Sequence, residues 1–119
     1  MIRYIFISLI FFVSTSYSQE YSIKKVLDLN EPWGSTFVNN NNLLITEKSG
    51  KIKIINLKTK EVININHNLN VIEYGQGGLL DIIFENNTVW VSYTEDRGNY
   101  KTSTSIAKGQ FNKKLIDFK

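Results

Sequence analysis

The sequence predicts an all-β chain made of short antiparallel strands. Runs rich in β-branched and aromatic residues alternate with turn residues along positions 21–118, and no window of helical length carries an apolar stripe at the helical period. In addition, the order of the runs repeats after about 46 residues. Four strands every 40 to 50 residues are typical of the blades of a β-propeller. An ordinary antiparallel sandwich with coincidental spacing is the alternative fold.

The first repeat covers about residues 22–66. A β-rich pair of runs inside it is joined by a turn that contains Ser49 and Gly50, which predicts a hairpin. An N-terminal run that ends at Leu29 alternates loosely between polar and apolar residues and is predicted to be a strand. Besides this run at residues 21–29, the four predicted strands of the repeat are residues 35–38, 43–46, 52–57 and 61–65.

The second repeat covers about residues 77–118 and has the same order. Asn86 and Asn87 form a predicted turn between an apolar inner run and a run that contains Trp90. The predicted strands are residues 79–84, 88–93, 102–111 and 115–118. The sequence therefore predicts two four-stranded blades of a β-propeller.

The N-terminus has the pattern of a cleavable secretory signal, which covers residues 1 to about 18. Arg3 supplies a positive charge, residues 5–13 are almost all apolar, and Ser16 and Ser18 stand at the positions that a signal peptidase reads. A membrane anchor would need about 20 apolar residues. We therefore expect an exported protein, periplasmic or extracellular, with no integral membrane span after cleavage. The mature domain would be residues 19–119.

Composition narrows the function classes. Removing Arg3 with the signal leaves 13 basic residues against 11 acidic ones, and the basic residues are scattered among the acidic ones. Nucleic-acid binding needs a clustered basic surface, so nucleic acid is not an expected partner. The chain contains no cysteine. An exported protein without disulfides must be stabilised by packing alone.

Three stretches carry a resemblance to a known family. They are EPWG at residues 31–34, LLITEKSGKI at residues 43–52, and GQGGLLD at residues 75–81, followed by Trp90. In this order and spacing the chain resembles the N-terminal part of the glucose/sorbosone dehydrogenase family, the soluble quinoprotein aldose sugar dehydrogenases. The resemblance implies a six-bladed propeller that binds pyrroloquinoline quinone (PQQ) and calcium and oxidises aldose sugars. It covers about residues 26–118.

Gln76 is the candidate substrate-binding residue. The surrounding glycines permit positive φ and close backbone approach, and the glutamine amide offers a donor and an acceptor that suit sugar hydroxyls. The resemblance implies that the matching glutamine touches the sugar. A structural turn with a solvated amide is the alternative. For Asp81, anchoring of the backbone is expected rather than chemistry.

The remaining candidates are expected to be structural. His67 is the only histidine, and its place in a polar connection between the repeats predicts a solvated loop residue rather than a general base. Residues 96–99 predict a turn, because too few oxygens converge there for calcium. Trp33, Trp90 and Tyr93 are expected to be buried between blades. No catalytic, cofactor-binding or metal-binding residue is assigned in this chain.

Three functions remain open at this stage. The chain can be a fragment of an exported sugar-oxidising quinoprotein, inactive alone, whose partners are the missing blades and, weakly, an aldose sugar. It can also be a non-catalytic binding module of the periplasm that assembles from several copies. The third possibility is a small sandwich of another role. No PQQ or calcium binding is expected for this chain alone.

Overall fold

The computed structural model describes residues 18–119, so the predicted signal peptide lies outside the described residues except for Ser18. The described chain is all-β and contains no helix, which confirms the predicted class. The described residues therefore contain no helix long and apolar enough to cross a membrane. The strands are β1 (Pro32–Asn39), β2 (Asn42–Glu47), β3 (Lys51–Asn56), β4 (Val62–His67), β5 (Leu79–Glu85), β6 (Thr88–Asp96), β7 (Thr102–Gln110) and β8 (Leu115–Ile116).

The first sheet is an antiparallel meander of β1 to β4 in sequence order. The predicted hairpin between β2 and β3 is present, with Leu44 opposite Ile54. Gly50 closes its turn with a φ of 95°, a conformation that only glycine adopts without strain. The strand predicted at residues 21–29 is wrong. These residues are not paired in either sheet, and Ile23 is almost fully exposed, because no strand among residues 18–119 pairs with them.

The second sheet contains β5, β6 and β7, again in sequence order. Asn86 and Asn87 join β5 to β6 with φ values of 48° and 61°, as the predicted two-residue turn requires. The strand predicted at residues 115–118 is shorter than expected. Only β8 forms, and it pairs in parallel with β4 of the first sheet, while Phe118 makes a single bridge to Gly109 of β7. The last residues therefore link the two sheets.

The core lies between the two sheets. Inward-facing aliphatic residues of both sheets fill it, and Tyr93 and Phe118 close its sides. Its members are Leu44, Ile52, Ile54, Ile65, Leu79, Ile82, Val89, Val91, Tyr93, Ala107, Ile116 and Phe118. Because both sheets contribute to one core, the loop that connects them is fixed relative to both.

Candidate functional site

Gln76 lies on the connection between the two sheets, just before β5. A backbone hydrogen bond from the Gly77 N–H to the Tyr74 carbonyl closes the turn at 2.8 Å. Gly75 has a φ of 57° and Gly78 a φ of 154°. The glycines predicted to permit unusual backbone angles do so at these two positions. We call residues 74–78 the glycine loop.

The first sheet holds one side of the glycine loop. The carbonyl of Lys48, directly after β2, accepts a hydrogen bond from the Leu79 N–H at 3.0 Å. A Cβ atom on Gly78 would collide with that same carbonyl. The N–H of Lys48 bonds to the Glu31 carbonyl at 3.0 Å, just before β1. The starts of β1 and β5 therefore lie at the same end of the molecule as Gln76.

The second sheet holds the other side of the loop through Thr94 of β6. The Thr94 hydroxyl accepts a hydrogen bond from the Gly78 N–H at 3.1 Å, and the Thr94 N–H donates to the Gly78 carbonyl at 2.8 Å. The Thr94 carbonyl accepts from the Ile72 N–H at 3.0 Å. Gly78 itself is buried, whereas Gln76 and Tyr74 are exposed. The loop is thus anchored at its end and presents the Gln76 amide to solvent.

Beneath the loop, Thr46 of β2 joins the first strands of the two sheets, β1 and β5, which we call the inner strands. Its hydroxyl accepts a hydrogen bond from the Gly34 N–H at 2.9 Å and donates to the Leu80 carbonyl. The neighbouring Asp81 carboxylate accepts from the Ile82 N–H at 2.9 Å, which is the backbone-anchoring role predicted for it. A Cβ on Gly34 would lie 2.7 Å from that carboxylate. Gly34 therefore allows the inner strands to approach closely.

Glu47 is a charged residue that sequence reasoning missed. It is fully buried, and its Oε1 atom accepts hydrogen bonds from the Lys53 ammonium at 2.6 Å and the Asn30 N–H at 2.9 Å. Burial alone would raise the pKa of the Glu47 carboxyl. The hydrogen bonds from Lys53 and Asn30, with the charges of Lys53 and Lys51, outweigh burial and lower that pKa. Through its bond with Asn30, Glu47 anchors the chain before β1. Its role is therefore structural.

His67 is not the solvated loop residue that the sequence predicted. It ends β4, is half-buried, and packs edge-to-face against Phe118 with ring centroids 6.2 Å apart. Its Nε2 lies 2.6 Å from the Gly50 carbonyl, and its Nδ1 accepts from the Leu69 N–H at 3.3 Å. Because Nδ1 accepts a hydrogen bond, these partners assign the ring proton to Nε2, which donates to the Gly50 carbonyl. Both ring nitrogens contact backbone groups, so the histidine links the β2–β3 turn to the segment that follows β4.

The expected burial of the aromatic residues is correct only for Tyr93, which is 7% exposed and whose burial raises its pKa. Trp33 and Trp90 are 51% and 40% exposed. Both lie on strand faces that point away from the core, where the described residues provide no second layer. Lys108 partly covers Trp90, with its ammonium 5.3 Å from the ring centroid.

A cleft of about 570 Å³ lies beside Trp90. Asn86, Thr88, Gln110 and Asp117 are among its lining residues. The β5–β6 turn forms part of it, so it opens at the end of the second sheet opposite Gln76. The cleft and the glycine loop are therefore separate features.

The matches to known proteins agree with this arrangement. The family model described as Glucose / Sorbosone dehydrogenase matches residues 29–119. The chain belongs to the glucose/sorbosone dehydrogenase family. The match covers both sheets and includes the glycine loop. No curated protein matches the chain.

Solved structures of sugar dehydrogenases have the same fold. A glucose dehydrogenase is 26% identical, with a TM-score of 0.74, over 81% of this chain and 31% of its own. The soluble aldose sugar dehydrogenase from Escherichia coli, in its apo-form, is 27% identical, with a TM-score of 0.69, over 76% of this chain and 29% of its own. The aldose sugar dehydrogenase from Streptomyces coelicolor in its PQQ-bound form is 20% identical, with a TM-score of 0.68, over 81% of this chain and 32% of its own.

These matches confirm the predicted partial β-propeller and exclude the independent sandwich. The chain spans about a third of the length of the solved structures that it matches. The two repeats of the sequence correspond to the two sheets except at β8, which lies in the second repeat but pairs with β4 of the first sheet. Leu44 and Trp90, which are 46 residues apart, occupy the second strand of their respective sheets.

The described residues do not fit PQQ or its calcium ion. PQQ carries several carboxylates, and Lys48, the cation beside the glycine loop, lies 3.9 Å from the Glu73 carboxylate. Within residues 18–119, no three His, Cys, Asp or Glu side chains converge into a cation site.

Proposed function

We propose that the chain is the N-terminal part of an exported quinoprotein that oxidises aldose sugars. The observation that carries this proposal is the exposed Gln76 amide, on a loop anchored by both blades, in a chain of the glucose/sorbosone dehydrogenase family. Under this proposal the two blades form part of the propeller ring, and PQQ and calcium are bound by segments outside this chain.

Gln76 is the proposed sugar contact. An amide donates through its NH₂ group and accepts through its carbonyl, so one side chain can bind a hydroxyl as both donor and acceptor. An anchored loop adds to affinity because little ordering entropy is lost on binding. One residue cannot bind a sugar tightly, so the affinity of this chain alone is expected to be weak.

The chain is proposed to be inactive alone. Oxidation of the anomeric carbon requires a base for the hydroxyl proton and an acceptor for the hydride. His67 uses both ring nitrogens for the backbone, and Asp81 lies beside backbone N–H groups at the inner strands. The base and the quinone site are therefore proposed to lie in the missing blades.

A hybrid enzyme tests the proposal. Residues 29–119 would replace the matching segment of the Escherichia coli aldose sugar dehydrogenase, and glucose oxidation would be followed with added PQQ and calcium. We expect activity that rises with glucose and is weakened by Gln76→Ala, mainly through a higher KM. Gln110→Ala is the matched control, because Gln110 is exposed at the opposite end of the second sheet. A folded, PQQ-loaded hybrid that Gln76→Ala leaves unchanged would overturn the role of Gln76.

Export is the second part of the proposal, and it rests on the sequence of the N-terminus. If the chain is processed after Ser18, the mature protein begins at Gln19. Expression with its own N-terminus, followed by mass spectrometry of the secreted or periplasmic fraction, measures this directly. Retention of Met1 in a cytoplasmic product would contradict export.

One observation favours a second candidate, a self-assembling binding module. Ile83, Trp90 and Ile106 lie on the outer face of the second sheet with 57%, 40% and 73% of their surface exposed. Such a face needs a partner, which is either a missing blade or another copy of the chain. Light scattering on the purified chain distinguishes them: a trimer supports a six-bladed ring of three copies, whereas a monomer that recovers activity only with the remaining blades supports the fragment.

A further inference from the structure

We propose that Thr94 is a positioning residue that holds the glycine loop and so sets the direction in which the Gln76 side chain leaves it. The significance of this inference rests on the proposed sugar contact of Gln76, but its geometry stands independently. Thr94 lies near the end of β6, outside the three stretches that carry the family resemblance. It touches the glycine loop through both its side chain and its backbone.

Thr94 forms hydrogen bonds with both backbone groups of Gly78, its N–H and its carbonyl. Gly78 donates its N–H to the Thr94 hydroxyl at 3.1 Å and accepts the Thr94 N–H at its carbonyl at 2.8 Å. Gly78 is buried, so water cannot replace a lost partner at low cost. The Thr94 hydroxyl is therefore a required acceptor for this peptide group.

Thr94 also fills the space that Gly77 leaves free. A Cβ atom on Gly77 would lie 2.5 Å from the Thr94 hydroxyl oxygen and 3.1 Å from two of its carbon atoms. The absence of a side chain at residue 77 and the presence of Thr94 are thus complementary. Together they hold the peptide that directly follows Gln76.

Gln76 depends on this backbone contact for its direction. Among the described residues, no hydrogen bond is made by the Gln76 side chain, which is exposed. The backbone on either side consequently sets the position of its Cβ atom and the direction in which the side chain leaves the loop. Lys48 contributes its carbonyl on the opposite side of the loop, but a backbone group cannot be removed by substitution. The Thr94 hydroxyl is the part of this anchor that mutagenesis can test.

The test is NMR on the ¹⁵N-labelled chain. Thr94→Val keeps the shape and removes the acceptor, and Thr94→Ser restores the hydroxyl. In Thr94→Val we expect hydrogen exchange at the Gly78 amide to accelerate about tenfold and the Gln76 side-chain NH₂ signals to shift. Exchange in the core, at Ile54, stays unchanged, and Thr94→Ser resembles the parent. Thr104→Val is the control, since Thr104 is the exposed cross-strand neighbour of Thr94.

Two results overturn the inference. Gly78 exchange and Gln76 signals that are identical in Thr94→Val and the parent would do so, and so would equal disturbance by Thr104→Val. If Thr94→Val does not fold, Gly77→Ala replaces it. We expect its disturbance of Gln76 to be relieved when Thr94→Ala is added, and additive effects of the two changes would also overturn the inference.

Glucose titration separates this inference from the proposed function. In the parent we expect glucose to shift the Gln76 NH₂ signals, and in Thr94→Val we expect a weaker shift that Thr94→Ser restores. If glucose leaves Gln76 unmoved in the parent, the sugar proposal fails. Exchange at Gly78 then still decides whether Thr94 positions the loop.

Discussion

Glu47 and Lys53 form a buried ion pair across β2 and β3, with the carboxylate Oε1 2.6 Å from the ammonium Nζ. The Glu47 side chain is fully buried, and that of Lys53 is 18% exposed. The same Oε1 atom holds the N–H of Asn30. Within the described residues, Oε2 of Glu47 has no hydrogen-bond partner, and the structure offers no explanation for this.

Removing the cation of this pair should destabilise the chain strongly. Lys53→Met leaves a buried carboxylate without its counter-charge, and breaking such a pair costs about 3–5 kcal/mol. Urea denaturation measures the loss. Lys25→Met is the matched control, because the pair of Lys25 with Asp28 is exposed and should contribute little. Lys53→Arg should retain most of the stability, and a Lys53→Met chain as stable as the parent would contradict a structural role for the pair.

Stability should also fall in acid partly because of Glu47. Its pKa is lower in the folded chain than the ordinary value of 4.5. The ionised carboxylate therefore contributes fully to the stability of the fold above pH 4.5, and this contribution is lost as the pH falls through the lower, folded pKa. We expect the free energy of unfolding to decline from about pH 5 downward, and Glu47→Gln to remove part of that pH dependence. An acid decline of the same size in Glu47→Gln would contradict this assignment.

Gly78 should tolerate no side chain. Its φ of 154° is unfavourable for other residues, and a Cβ would meet the Lys48 carbonyl, which is backbone and cannot move aside. Gly98→Ala is the matched control, because Gly98 also has a positive φ, 71°, but open space around its Cβ position. We expect Gly98→Ala to cost about 1 kcal/mol and Gly78→Ala several times as much in thermal or urea unfolding. Equal costs would show that strain, not the contact with Lys48, governs residue 78.

The sequence predicted what depends on local pattern. The β2–β3 hairpin follows from β-branched runs around Ser49 and Gly50, and the Asn86 turn follows from its tolerance of positive φ. The family match confirms the resemblance that the GQGGLLD stretch carries. For Gln76 the sequence predicted a loop residue before a strand, but nothing in the pattern indicated which groups anchor the loop.

The sequence-based predictions that failed concern features that depend on contacts between different segments of the chain. Glu47 looks like the first residue of a solvated turn, and only the fold places Lys53 and Asn30 around it. The run at residues 21–29 has the composition of a strand, but a strand also requires a partner edge. Trp33 and Trp90 have the residue type of a core, yet they are exposed because their strand faces point away from the core that the two sheets share.

The position of His67 gives a prediction that separates structure from catalysis. His67→Phe keeps a ring against Phe118 but leaves the Gly50 carbonyl and the Leu69 N–H without their side-chain partners. We expect a loss of about 1–3 kcal/mol in unfolding free energy, and a smaller loss in His67→Gln, whose amide can still donate to Gly50. In the hybrid enzyme, glucose oxidation should persist wherever the protein remains folded, since losing a general base would cost about a hundredfold or more in rate. A folded His67→Phe hybrid with such a loss and an altered pH profile would show that the histidine takes part in the reaction.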